Sequence, residues 1–423
     1  GGAVASLGNL VSSGNLALNM ASGSSLVGWD SPSTPIQSSA MPTLLSVSSI
    51  TNTTVTGLGY NNFLINKATV DINNAVNLDT YAGKYYDKVD FVSSNVGVSS
   101  GGSLTGTNSN QIGIAQRSYN GATVGSINLT NSGTISMSGS DSTGIAGDFA
   151  TITNNAAGII TISGNKSTGI FSANGSLTKN SGTINVNTSG AGNSSVGIYG
   201  SNNFGGSAAT YGDQKINITN DGTIRYGGSL TSDGIGIYVK GSGYTAENYG
   251  IINGFGNDAK GIFASDYAIV RNYGTINMTG DNVMGIAGQN GAQIYNDYGG
   301  VINVTGNDVT GIYLAGDDTK LINHGIINIT GTGIGIAYTP TVELSNVTDT
   351  TGTTQGYTSK QYDLPDMPTV VNSGIININV GGNFNYDGIR VIVTIDPSTN
   401  TPTTNSSSQV GFSGVIPDKL EVA

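Results

Sequence analysis

The chain has 423 residues, 65 of them Gly, only 10% charged, and a net charge of −11. Gly is roughly twice its usual share and charge well under half, yet hydrophobic residues reach 37%, which excludes an Ile-poor, charge-rich disordered chain. Fifteen Lys and Arg, none clustered, cannot neutralise a phosphate backbone, which argues against nucleic acid and an anionic membrane surface as partners.

The chain opens at Gly1-Gly2-Ala3-Val4 with neither a basic nor an apolar leader segment, and no apolar run approaches 18 residues. Both ends are expected to be cut from something longer. There is no Cys, so stability must come from a continuous core rather than disulfide staples. In residues 1–128, Leu7, Leu10, Leu16, Leu18, Met20 and Leu26, then Val70, Ile72, Val76 and Leu78, alternate between Gly and Asn punctuation. This stretch is expected to form irregular coils, and Gln111-Ile112-Gly113-Ile114-Ala115 resembles a Gly-Ile strand one coil before the repeat that follows.

From residue 129 to about 395 one phrase returns: apolar-x-Asn-x-Gly-x-Ile-x-apolar, a Gly/Asn/Asp turn, then Gly-Ile. Its landmark is Asn131, Asn154, Asn180, Asn220, Asn248, Asn272, Asn296, Asn323 and Asn372, and its closing Gly is Gly144, Gly169, Gly197, Gly234, Gly261, Gly285, Gly311, Gly335 and Gly388. An Ile four or six residues after the Asn, often with a second apolar residue two further on, is the alternation of a strand with one buried face. A second strand starts at each Gly-Ile. A third precedes each Asn, with Leu129, Ile152, Ile218, Val270, Ile294, Leu321 and Val370 in one column and Thr178 breaking it. Three short strands per coil of about 25 residues predict a right-handed parallel β-helix, three-sided, in which each coil shelters its neighbours. Nine such coils would rise on the order of 45 Å. Insertions are expected near 201–215 and 339–369, and residues 396–423 should be a terminal coil or a continuation of the rod. Turns such as Gly280 to Gly285 carry Asn, Asp and small residues, which tolerate positive φ.

The sole His, His324, fills the variable position of Asn-x-Gly, beside Ser132, Ser181, Asp221, Tyr249, Tyr273 and Ser373 in the other copies. Without Cys, and with that one His, Ser-His-Asp and Cys-His chemistry have no base and no His/Cys metal cluster can form. The chain is therefore read as no enzyme, with no cofactor and no metal site, although a calcium ion held by an insertion stays open. Asp317-Asp318, Asp363 and Asp366 are the carboxylates a polysaccharide-cleaving β-helix would need, but they lie in turns or an insertion, and turn chemistry accounts for them better. The Asn landmark is expected to form an amide ladder between coils. The residue after each Gly-Ile gives a column with Phe171, Tyr199, Tyr238, Phe263 and Tyr313, either packed ring on ring or open to a ligand. Phe204 and Tyr211 in the first insertion, and Tyr357, Lys360, Tyr362 and Asp363 in the second, are candidate ligand contacts, because loops vary on a fixed scaffold.

The phrases Asn272-Tyr-Gly-Thr-Ile-Asn-Met-Thr-Gly280 and Asn323-His-Gly-Ile-Ile-Asn-Ile-Thr-Gly331 resemble passenger repeats of type V autotransporters, in particular the large outer-membrane adhesins of fusobacteria. The resemblance implies an extracellular rod on the bacterial surface, anchored through a C-terminal outer-membrane β-barrel absent from this chain. It further implies attachment to host-cell receptors or glycans, or to surface proteins of partner bacteria. A polysaccharide-degrading β-helix and a purely structural spacer are the alternatives.

Overall fold

The computed structural model describes residues 17–29, 45–46, 62–72, 75–77, 79, 90–92, 95–116, 127–186, 195–201, 215–227, 234–316, 318–339, 369–379, 389–391 and 408–409. Among them there is no α-helix. Through the repeat every strand pairs in parallel with the strand of the same kind one coil on. On the first face, Thr134–Met137 pairs with Ile159–Ile162, which pairs with Thr183–Val186 and then Thr223–Tyr226. The Gly-Ile strands form the second face in the same way, as Thr143–Asp148, Thr168–Ala173, Val196–Ser201 and Ile235–Lys240 show. The strands before each Asn form the third. The result is a three-sided parallel β-solenoid, with coils about 26 residues apart.

The alternation in the sequence becomes the alternation of burial. Thr134–Met137 alternates half-exposed and buried residues, and so does Thr183–Val186. Ile135, Ile160, Ile184, Ile224, Ile252 and Ile276 are fully buried in one column, and Ile145, Ile170 and Ile198 in another. One continuous apolar cluster runs from Ile72 to Val370. A single coil would expose both flanks of its isoleucines; the coils above and below remove that surface from water, worth roughly 1.5–3 kcal/mol per side chain.

The Gly of Gly-Ile is required by close approach. A Cβ at Gly144 would lie 2.6 Å from the carbonyl oxygen of Gly169, and one at Gly169 would lie 2.5 Å from that of Gly197. This column corrects the register of the fourth copy. Ile237, not Ile235, stands opposite Ile198 and Ile262, so Gly236 and not Gly234 belongs to the column. The run Gly234-Ile235-Gly236-Ile237 holds two overlapping Gly-Ile pairs, and only the second puts a buried Ile between its neighbours.

In the turns from first to second face, the left-handed backbone falls two residues after the leading Gly: Asp141, Lys166, Asp258, Asn282 and Asp308 have φ of 56°, 52°, 60°, 56° and 53°. Asp and Asn tolerate that region through local side-chain hydrogen bonds.

Nearer the N-terminus the pairing changes. Asn62–Ile72 pairs in parallel with Asp90–Val92 and Asn95–Val98, whereas Ala17–Trp29 runs antiparallel to Asn62–Ile72 and to Leu45–Ser46. The alternation at Leu18, Met20 and Leu26 marks a strand, but a period of two carries no information about the direction of its partner. Ile389–Val391 continues the second face in parallel and pairs antiparallel with Ser408–Gln409.

Candidate ligand-binding surfaces

The landmark asparagines are structural. Each donates from Nδ2 to the Oδ1 of the next coil, from Asn131 through Asn154, Asn180, Asn220, Asn248, Asn272, Asn296 and Asn323 to Asn372, at 2.7–2.9 Å. Asn131 to Asn323 are 0% exposed. A buried amide needs partners for both ends, and stacking identical residues supplies them. The ladder therefore holds the corner between third and first faces and is closed to ligands.

On the second face, Phe171, Tyr199, Tyr238 and Phe263 lie in register on successive coils. Their ring centroids are 5.3, 4.9 and 4.9 Å apart, the last two pairs stacked. Tyr199, Tyr238 and Phe263 cover one another's faces and Phe171 tilts against Tyr199, so the stack is mainly packing; the Tyr238 hydroxyl meets Ser265 Oγ at 3.4 Å. Tyr313 is separated from this stack by Ala287 and is followed by Ala337, both buried.

The more exposed rings lie elsewhere, at or one residue beyond the variable position of Asn-x-Gly. Tyr249 and Tyr273 stack at 4.8 Å with 7° between their planes, and Tyr298 and His324 stack at 4.7 Å with 3°. Tyr249 is 50% exposed and Tyr298 76%. Around them stand hydrogen-bonding groups from the adjoining third face. The Tyr249 hydroxyl donates to Glu247 at 3.0 Å, and Arg271 Nη1 reaches Asp297 at 3.1 Å while its guanidinium lies 4.2 Å from the Tyr295 ring. His324 Nδ1 meets Ser373 Oγ at 2.5 Å.

Electrostatics keep the Tyr249 and Tyr273 phenols protonated near neutrality. Partial burial, then Glu247, raises the Tyr249 phenol above its ordinary value; partial burial and Asp297 do the same for Tyr273. Partial burial works against the Arg271 charge, but its bonds to Asp297 and Tyr273 outweigh this and raise its pKa. The ridge thus offers phenol donors, ring faces and a fixed ion pair.

Sequence reasoning placed His324, Tyr249 and Tyr273 in one column and read the column as merely variable. The structure sets Tyr273 on Tyr249, and His324 on Tyr298 of the coil before it, as two stacked pairs. Tyr298 escaped notice because the turn Asn296-Asp297-Tyr298-Gly299-Gly300 is two residues longer than all its counterparts but the one at Asn154–Gly158, and its extra residues carry the ring into solvent.

A second amide ladder was not anticipated. On the outer side of the first face, Asn277 donates to Asn253, Asn303 to Asn277, Asn328 to Asn303 and Asn377 to Asn328, at 2.7–2.8 Å. The signal was present as an Asn five residues after the landmark in four of these five coils.

Of the remaining candidates, Phe204, Tyr211, Tyr357, Lys360, Tyr362, Asp363, Asp366 and Asp317 lie outside the described residues. Asp318 sits in a turn with φ 58° and accepts from the Tyr267 hydroxyl at 3.4 Å. Among the described residues no three of His, Asp and Glu converge as a metal site would require. No protein-family model, no curated protein and no solved structure matches the chain.

Proposed function

We propose that this chain is a segment of the secreted rod of a bacterial surface adhesin, an autotransporter passenger, that attaches the cell to host cells or to other bacteria through glycan or protein receptors. The observation that carries the reading is the ridge of Tyr249, Tyr273, Tyr298 and His324, with two rings at least half exposed on a rigid solenoid. Sugar rings are recognised by an aromatic face together with a few convergent polar groups. Glu247, Arg271, Asp297 and Ser373 stand within hydrogen-bonding distance of ridge members or their partners. A stacked scaffold loses little conformational entropy on binding, which favours recognition by preformed side chains.

The test is binding of the chain to a glycan array and to host and bacterial cells. The Tyr249→Ser, Tyr298→Ala double variant should lose at least about tenfold in affinity, the equivalent of about 1.4 kcal/mol, with an unchanged far-UV spectrum. Binding that survives this change and disappears on deleting residues 341–368 would move the receptor site to the insertion. No binding by either form would leave the spacer reading, and cleavage of a bound glycan would favour the enzyme.

A further inference from the structure

We infer that the outer surface of the first face, over the five strands carrying the mostly half-buried outer amide ladder, is a contact surface for a second copy of this chain, joined side by side about a two-fold axis. The inference concerns a different surface from the aromatic ridge and does not depend on what that ridge binds.

Charge is the first observation. The protein carries a net charge of −11, yet the outward side chains of Ile251–Phe255, Thr275–Thr279, the start of Val301–Ala315, the start of Ile326–Thr339, and Ile375–Asn379 include no ionisable group. Two copies of an acidic rod repel each other on most approaches; this surface is one on which they need not.

Composition is the second. The amides Asn253, Asn277, Asn303, Asn328 and Asn377 run up the middle, flanked on one side by Ile251, 42% exposed, and Ile375, 55% exposed, and on the other by Phe255 and three threonines. Exposed aliphatic side chains beside an uncharged polar ladder, on a parallel β surface, are the ingredients of dry sheet-to-sheet packing between identical segments.

Periodicity is the third. Asn277, Asn303 and Asn328 each spend one N–H and one lone pair on their neighbours, Asn253 only accepts and Asn377 only donates, which leaves a second N–H and further acceptor capacity on each interior amide, repeated at about 4.8 Å. A second copy presents groups at the same repeat, so one satisfied contact aligns all the others. A two-fold axis through the central amide, Asn303, would set the two ladders antiparallel and bring the two Asn303 side chains together. Five strands of about five residues offer on the order of 400 Å² per copy, less than the roughly 600 Å² per partner of a stable specific contact, so association should be weak and dependent on concentration.

Sedimentation equilibrium of the chain over a wide concentration range tests this. The wild type should shift from monomer toward dimer, more so at higher salt, which screens the repulsion elsewhere. Asn303→Asp and, separately, Asn303→Lys should each raise the dissociation constant at least about tenfold by placing like charges across the axis, and an equimolar mixture of the two should recover association. Thr305→Lys, outside the ladder, is expected to weaken the dimer without touching an amide bond. Far-UV spectra should match the wild type. The inference is overturned if the chain stays monomeric throughout, if the variants associate as tightly as the wild type, or if the mixture shows no recovery. A monomer that instead pellets with an insoluble β-linked polysaccharide, and loses this on Asn303→Asp, overturns it in favour of a glycan occupant.

Discussion

Tyr226 fills the space that Gly254 leaves in the next coil: a Cβ at residue 254 would stand 2.5 Å from both Cζ and Oη of the tyrosine ring. The two residues are register partners on the first face, at a position that elsewhere holds Met137, Ile162, Val186, Met278 and Val304. One oversized residue is thus matched by one with no side chain. The ring has no room to retreat, because a Cβ at Gly234 would lie 2.6 Å from its Cδ2. Gly254→Ala should cost about 1–3 kcal/mol, the range for overpacking a core, read as a lower urea midpoint with an unchanged m-value. Stability equal to wild type would mean that the coils slide apart easily.

The same tyrosine makes the fold sensitive to alkali. Burial raises the Tyr226 phenol well above 10, and its hydroxyl bonds to the Lys260 carbonyl and to Met278 Sδ. Below about pH 10 the phenol is protonated in folded and unfolded chains, and its contribution is constant. Above that value the unfolded chain releases the proton first, so the stability is lost as pH rises, at up to about 1.4 kcal/mol per pH unit. Tyr226→Phe should lose about 1 kcal/mol at pH 8 through the missing hydrogen bonds and fall less steeply than wild type between pH 9.5 and pH 11, roughly the window in which a free phenol titrates. Parallel slopes for the two proteins in thermal melts would place the alkaline sensitivity elsewhere.

Much of this fold was legible because a solenoid repeats each rule many times. The Asn-x-Gly-x-Ile phrase located Ile135, Ile184, Ile224, Ile252 and Ile276, all fully buried, and Asn131 to Asn323 in an unbroken ladder. What failed was local. Two overlapping Gly-Ile pairs at Gly234–Ile237 could not be ranked without knowing which Gly faced the Gly261 carbonyl. The outer ladder through Asn277 and the ridge through Tyr249 consist of outward positions, where no hydrophobic signal selects a residue. Only the coil-to-coil register shows that such residues are neighbours.

Thr178 interrupts the apolar column of the third face, and its hydroxyl is buried without a hydrogen-bond partner, as is that of Ser172 in the same coil. Hydroxyls taken out of water without a partner cost roughly 1–3 kcal/mol. Thr178→Val keeps the shape and removes the unpaired group, so it should raise stability by about 1 kcal/mol, seen as a higher melting temperature. A drop instead would show that the hydroxyl has a bound water or another partner in solution.

Ile276 and Tyr273 separate scaffold from surface within one coil. Ile276 is fully buried between Ile252 and Ile302, so Ile276→Asp puts a carboxylate in the stacked core at a cost of several kcal/mol. Amide exchange should quicken in the coils on both sides. Tyr273→Ser loses stacking on Tyr249, worth about 1 kcal/mol, and should leave that exchange pattern intact. A melting curve unchanged by Ile276→Asp would count against the whole register.

The landmark ladder allows a test in which pH supplies the missing proton. Asn248 accepts from Asn220 and donates to Asn272, both at 2.8 Å and all three fully buried. Asn248→Ala strands a donor above and an acceptor below, which should cost about 2–5 kcal/mol. Asn248→Asp keeps the acceptor for Asn220, but when ionised it sets a carboxylate oxygen against the Asn272 carbonyl and carries an uncompensated charge. Burial should raise its pKa above the unfolded value near 4. Its stabilising protonated form, with an O–H to offer Asn272, is therefore fully present below about pH 4 and lost as pH rises. Relative to wild type at the same pH, Asn248→Asp should be far less stable at pH 8 than at pH 4 in urea titrations. An equal deficit at both pH values would mean that the lost donor, rather than the buried charge, sets the cost, and that the corner is wet enough to solvate a carboxylate.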